Sequence, residues 1–238
     1  MRATATLVAG RPTRPGRPCR IEHLADAAPV AWRTTPDGVY MVATAAAPVG
    51  ADRLGLDVHA RRGAHLAVRS AAASVLWSGR GTRTTVTARV DGDAVLDWAP
   101  EPTITTAGCH HHHEATVRVE TGGALRWREL LVLGRGDEAV GRLVSDLAVE
   151  MGGRPLLRHR LEIGTDRTWD GPAVLGGHRA VGLLVLGGDR LSPAGPAAGP
   201  GWARMPLEGP GMMVLAVGGS AAEAAQRLDA AATGLPVA

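Results

Sequence analysis

The chain has 238 residues, enough to bury most of one all-β core, and we expect a single domain over 1–238. Hydrophobic residues make up 45% but aromatics only 3%, with no phenylalanine, so Val, Leu and Ala must fill the core in thin layers. The formal charge is +3, every one of the 26 basic residues is arginine, and these are interleaved with 23 acids, which argues against a nucleic-acid-binding face.

In chain order, Arg2 and the short apolar run Ala3–Ala9 lack the length of a signal-peptide core. No apolar stretch approaches the ~20 residues that a membrane span requires, so a cytoplasmic protein without membrane contact is expected. Gly10–Arg20 carries three prolines in eleven positions and predicts an exposed connector, with Cys19 on the surface. Two cysteines, Cys19 and Cys109, make no disulfide framework, which fits a reducing compartment. Val39–Thr44 predicts a strand. Leu54, Leu56 and Val58, alternating with Gly55, Asp57 and His59, predict a half-buried one.

A repeat begins at this point. Ala64, Ala94 and Ala124 each follow a turn and are spaced by 30 residues, with Val58, Val90 and Val119 closing the strands before them. Gly152-Gly153 places a fourth turn one further period on. Evenly spaced strand–turn–strand units bury their faces against their neighbours, the logic of stacked β architecture. The expected fold is therefore mostly β, solenoid-like or sandwich-like, with one or two α-helices, one of them near the C-terminus. The clearest predicted hairpin joins Ala115–Glu120 to Ala124–Leu133 through Thr121-Gly122-Gly123. On its second arm Leu125, Trp127, Leu131 and Leu133 share a face, with Glu129 as the odd member.

That parity extends back into the stretch Cys109-His110-His111-His112-His113-Glu114. His111 and His113 should point inward with Val117 and Val119, and His110 and His112 outward with Arg118. Imidazole suits nickel, zinc and copper, and Cys109 adds a soft donor. Residues two apart on a strand lie ~7 Å apart along one face, within chelating reach. The alternative is a solvated strand end. Binding that needs neutral imidazole is expected to fade below a pH of about 6.5, the reference value for histidine.

Beyond the hairpin, Leu143–Glu150 and Leu156–Ile163 predict strands, 187–201 a Gly/Pro/Ala-rich loop, and Met212–Val217 a buried strand. Ser220 and Glu223 form a capping box that opens an Ala-rich helix closed by Gly234 and Pro236. No nucleophile-elbow serine, phosphate loop or His-Glu-x-x-His helix occurs, so an enzyme is not expected.

Several segments resemble one family. Gly38-Val39-Tyr40-Met41-Val42 with Gly50-Ala51-Asp52-Arg53-Leu54 is similar to the "VYLL…GGDRL" entry of the urease accessory protein UreD (UreH) family. Ala71–Trp77 stands where that family carries an "ATKVY"-like strand. Leu96–Ile104, with its Pro100-Glu101-Pro102 core, resembles "LEYLPDPTIPF", and Leu131–Gly136 resembles its "GR" turn. The tetra-histidine run is no part of that pattern.

The resemblance implies a β-rich, non-enzymatic urease-maturation scaffold that binds UreF-like and UreG-like partners, docks on apo-urease, and conducts Ni²⁺ along a polar passage. It implies no permanently bound cofactor, only transient Ni²⁺, and it carries Asp52 across as a passage residue. His110, His111, His112, His113 and Cys109 remain the metal candidates read from the residues themselves. Two readings from other classes stand beside it: a metal-dependent hydrolase using His111 and His113, and a structural β-rich interaction protein.

Overall fold

The computed structural model describes residues 1–13, 19–79, 81–136, 138–164, 168–189, 191, 194–233 and 235. Strands β1 (Arg2–Gly10) and β2 (Arg20–Ala25) pair antiparallel, as do β3 (Val30–Thr35) and β4 (Gly38–Ala43). Three similar units follow: β5 (Arg53–Ala60) with β6 (His65–Ser70) and its continuation β7 (Ser74–Leu76), then β8 (Thr82–Val90) with β9 (Val95–Trp98) and β10 (Thr103–Thr105), then β11 (His110–Val119) with β12 (Ala124–Leu133). The chain continues through β13 (Arg142–Met151), β14 (Arg154–Ile163), a single 3-10 turn at Thr168–Asp170, β15 (Ala180–Gly188), β16 (Ala197–Gly199), β17 (Trp202–Pro206), β18 (Gly211–Gly218) and helix α1 (Ala221–Ala232). The Gly/Pro/Ala-rich stretch thus begins inside β15 and holds the short strand β16.

Two sheets stack. One runs β14-β13-β11-β8-β5-β1-β2, the other β16-β17-β18-β15-β12-β9-β6-β4-β3. Strands β5, β8, β11 and β13 pair in parallel, as do β4, β6, β9 and β12. The two arms of each repeat therefore belong to different sheets, and the repeat is a coil of a β-solenoid. The turns stack along one edge, as the 30-residue spacing predicts. The Asp91 and Glu120 amides donate to the Ala60 and Val90 carbonyls of the preceding coil at 2.9 and 2.8 Å, and the Gly152 amide donates to Val119 at 2.8 Å. A Cβ on Gly92 would lie 2.9 Å from the Thr121 carbonyl oxygen of the next coil, so the turn needs glycine for close stacking.

The expected hairpin Ala115–Leu133 is not one. Its arms, β11 and β12, lie in opposite sheets with their inward side chains facing each other across the core. Alternating burial is the same in both arrangements. What decides is that β11 finds its hydrogen-bond partners in β8 and β13, and β12 in β9 and β15. Only β13–β14 is a true antiparallel hairpin among the four predicted units, and it ends the stack.

Side chains of both sheets fill the space between them at the turn end, including Leu66, Val86, Leu96, Val117 and Leu125, with Trp98 stacked on Trp127 at a centroid distance of 4.8 Å. A second cluster, Leu76, Cys109, Leu133, Leu143 and Ile163, fills the opposite end. Helix α1 packs Ala224, Leu228 and Ala231 on the outer face of the second sheet. Ser220 caps it, accepting from the Glu223 amide at 3.2 Å, while Glu223 reaches back to the Gly219 amide at 2.7 Å. The predicted closure at Gly234 and Pro236 lies outside the described residues, as do Pro15 and Pro18 of the connector. Cys19 is half-buried against the main core, and burial pushes its thiol pKa up. Among the described residues no helix is long and apolar enough to cross a membrane.

Candidate functional site: a polar layer between the sheets

The second sheet opens part-way along its strands. Between the register pairs Trp98–Trp127 and Thr103–Leu131, β12 advances four residues while the β9–β10 chain advances five. Between Val68 and Ser74, paired with the same Trp98 and Thr103, the β6–β7 chain advances six. Each coil thus bulges by one residue more than its neighbour, and Pro100 and Pro102, which donate no amide hydrogen, sit in the middle bulge. Ser70 holds the bulges together: its hydroxyl donates to the Ala72 carbonyl and accepts from the Glu101 amide, both at 2.9 Å.

Behind the opening lies a cavity of about 480 Å³. Its walls are largely apolar, with Leu54, Val86, Trp98, Leu131 and Leu143 among them. Polar groups enter it from both sheets: His111 and His113 from β11, and Glu129 from β12. They form a layer between the two apolar clusters.

His111 is 2% exposed. Its Nδ1 lies 2.6 Å from the Thr82 hydroxyl, which also reaches the His110 carbonyl at 3.5 Å. A hydroxyl has one hydrogen, so both contacts are satisfied when Thr82 donates to the carbonyl and accepts from Nδ1–H. We assign that tautomer, which leaves the Nε2 lone pair free. Burial, with smaller contributions from His113 and His112, pushes the His111 pKa down to about 3. The ring therefore stays neutral well below pH 6.5, and the expected loss of metal-binding imidazole near that pH does not apply to His111.

His113 Nε2 lies 3.3 Å from Glu129 Oε1, which also accepts from the Trp127 indole at 2.8 Å. Burial would raise the Glu129 carboxyl pKa, but the neighbouring His113 and the hydrogen bonds from His113 and Trp127 outweigh it and hold the group below the usual range. His159, facing inward on β14, also acts on Glu129; burial pushes its own pKa down against the pull of Glu129 and Asp146. The layer thus combines an ionised carboxylate with imidazoles in a mainly apolar enclosure, a donor set that suits a borderline divalent cation. Among the described residues no group of three or more His, Cys, Asp or Glu is arranged to hold a metal ion.

The parity of the histidine run is as predicted. His110 is exposed, and His112 points outward, 2.8 Å from Asp146, which also pairs with Arg160. Cys109 is buried in the end cluster, where burial pushes its thiol pKa up, and it does not line the cavity. Asp52 does not line it either. Its carboxylate accepts from the Met1 amine at 2.9 Å and the Val49 amide at 3.0 Å, contacts that hold its pKa low. Sequence reasoning missed Thr82 and His159. It saw Glu129 only as the one acid on an apolar face.

The profile of the family described as UreD urease accessory protein matches residues 2–235. The chain belongs to this family. A urease accessory protein UreD of Streptomyces griseus is 40% identical over 238 residues, covering 93% of this chain and 91% of its own length. The UreD of Streptomyces coelicolor is 40% identical, covering 83% and 81%, and that of Frankia alni 37%, covering 93% and 80%. The family is one of accessory proteins and not of enzymes, which removes the hydrolase reading. Its Pro-Glu-Pro-Thr-Ile-like segment falls in this chain at the bulge, where Pro100, Glu101 and Thr103 line the cavity.

Proposed function

We propose that this protein is a cytoplasmic, non-enzymatic scaffold of urease maturation that works with UreF-like and UreG-like partners on apo-urease, and that Ni²⁺ crosses it through the cavity between its sheets. One observation carries the reading: in a UreD-family chain, His111, His113 and Glu129 line one enclosure open through the bulged sheet, with His113 and Glu129 in contact. The buried carboxylate offsets part of the cost of bringing a cation between apolar walls. His111 offers a neutral Nε2, and His113 exchanges its contact with Glu129 for one with the ion. A site of so few donors releases what it binds, whereas a closed tetrahedral set would retain it.

Val49 and Trp77, 44% and 39% exposed, supply apolar surface for a partner. The test is reconstitution: apo-urease, UreF-like and UreG-like proteins and Ni²⁺, with and without this chain. Activation that depends on the chain supports the role. Equal activation in its absence contradicts it.

A further inference from the structure

On the outer face of the first sheet three arginines stand side by side. Arg2, Arg53 and Arg83 occupy directly opposed positions on the parallel strands β1, β5 and β8. Neighbouring strands are ~4.8 Å apart, and like charges placed directly opposite each other destabilise a sheet. Among the described residues Arg2 and Arg53 make no ion pair, while Arg83 binds Glu114 through Nη1 at 2.9 Å and keeps a buried Nε without a partner. Arg2 and Arg53 therefore carry charge that no ion pair among the described residues offsets, and an anion lying over the row would offset it.

The floor beside it is shaped to receive such a group. Two residues along each strand the opposed positions are Thr4, Gly55 and Thr85. Gly55 lets the Thr4 side chain lean over it, a Cβ there lying 2.6 Å from the Thr4 hydroxyl oxygen, so the floor beside the arginines stays low. Together these residues line a shallow cleft of about 480 Å³ that is separate from the cavity between the sheets. Guanidinium groups and hydroxyls lining one cleft suit the oxygens of a phosphate group, for which arginine gives charge-assisted, often bidentate hydrogen bonds. Asp57, two residues beyond Gly55 on β5, also lines the cleft, and its carboxylate disfavours an extended polyanion such as a nucleic-acid backbone and favours one compact group at the arginine end.

We propose that the Arg2–Arg53–Arg83 cleft is a phosphate-binding site, taking either free orthophosphate or the terminal phosphate of a nucleotide. It does not depend on nickel passage, and the two can fail separately.

The test is calorimetric titration of the full-length protein with inorganic phosphate and, separately, with ATP, at constant low ionic strength. Wild type, Arg53→Gln and Asp57→Asn are compared, both substituted positions being exposed. Circular dichroism establishes that all three are folded. Phosphate should bind saturably, weaken at least about tenfold in Arg53→Gln through loss of a charged hydrogen-bond donor, and tighten in Asp57→Asn. ATP bound more tightly than phosphate, with the same response to Arg53→Gln, assigns the site to a nucleotide's phosphate; equal or weaker ATP binding assigns it to orthophosphate. No saturable binding of either ligand, or binding that neither substitution alters, overturns the proposal.

Discussion

Acidification should weaken this fold through His111, by an amount the structure sets. The ring is buried, and its pKa falls from 6.5 in an unfolded chain to about 3 in the native one. Between these values the unfolded state binds a proton that the folded state refuses, so stability is full above about pH 6.5 and declines as pH falls toward 3. At about 1.36 kcal/mol per pH unit, His111 alone removes about 2 kcal/mol by pH 5 and about 4 kcal/mol by pH 3. The perturbation is His111→Asn, whose amide can still donate to Thr82 but does not titrate. The variant should be less stable at pH 7, because it leaves a void, yet its stability should decline less with acid. Glu129 and His159 are present in both proteins, so the comparison reports His111 together with its coupling to His113 and His112. The assay is urea unfolding of both proteins from pH 7 to pH 5. The gap between them should shrink by about 2 kcal/mol over that range; a gap that stays constant refutes the claim that His111 is held neutral by burial.

Glu129→Gln keeps an acceptor for the Trp127 indole but removes the negative charge, so Ni²⁺ affinity measured by calorimetry should drop about tenfold or more while the fold persists; unchanged affinity would place the ion elsewhere. Gly141→Ala would bring a Cβ within 2.4 Å of both Cys109 Sγ and the Thr106 carbonyl oxygen. It should destabilise by about 1–3 kcal/mol, read as a lowered thermal midpoint. Leu125→Ala, at a position 0% exposed in the shared core, should cost about 2–5 kcal/mol in denaturant unfolding, and a loss well under 1 kcal/mol would mean the sheets pack less closely than described. Co-expression with a UreF-like protein should raise the soluble yield of this chain and allow both to be recovered together; a chain that is fully soluble alone and ignores that partner speaks against the docking role.

The stacking was legible in the sequence because alanines 30 residues apart mark turns that must lie over one another. Sheet membership was not. A hairpin and a coil crossing between sheets show the same alternation, and only the competing hydrogen-bond partners 30 residues before and after separate them. The inward direction of His111 and His113 followed from counting back from Val117. Their meeting with Glu129 required the arms to face each other, so that positions equidistant from Thr121, such as His113 and Glu129, come to one level. The acid on the apolar face of β12 was the available signal. The opening of the sheet depends on register counts across three coils, which no local pattern carries. Asp52 matches the family in sequence, yet its carboxylate is engaged by Met1 and Val49 away from the cavity.

The measurement that bears most directly on nickel passage compares two double variants of the histidine run. His111→Ala with His113→Ala empties the cavity side of β11, and His110→Ala with His112→Ala alters only its outer side. Each is assayed for Ni²⁺ binding by calorimetry and for activation of apo-urease with the accessory partners, after circular dichroism has established folding. The first pair should lose binding and activation while the second keeps both. Equal losses from the two pairs, or none from either, would contradict a nickel route through the cavity.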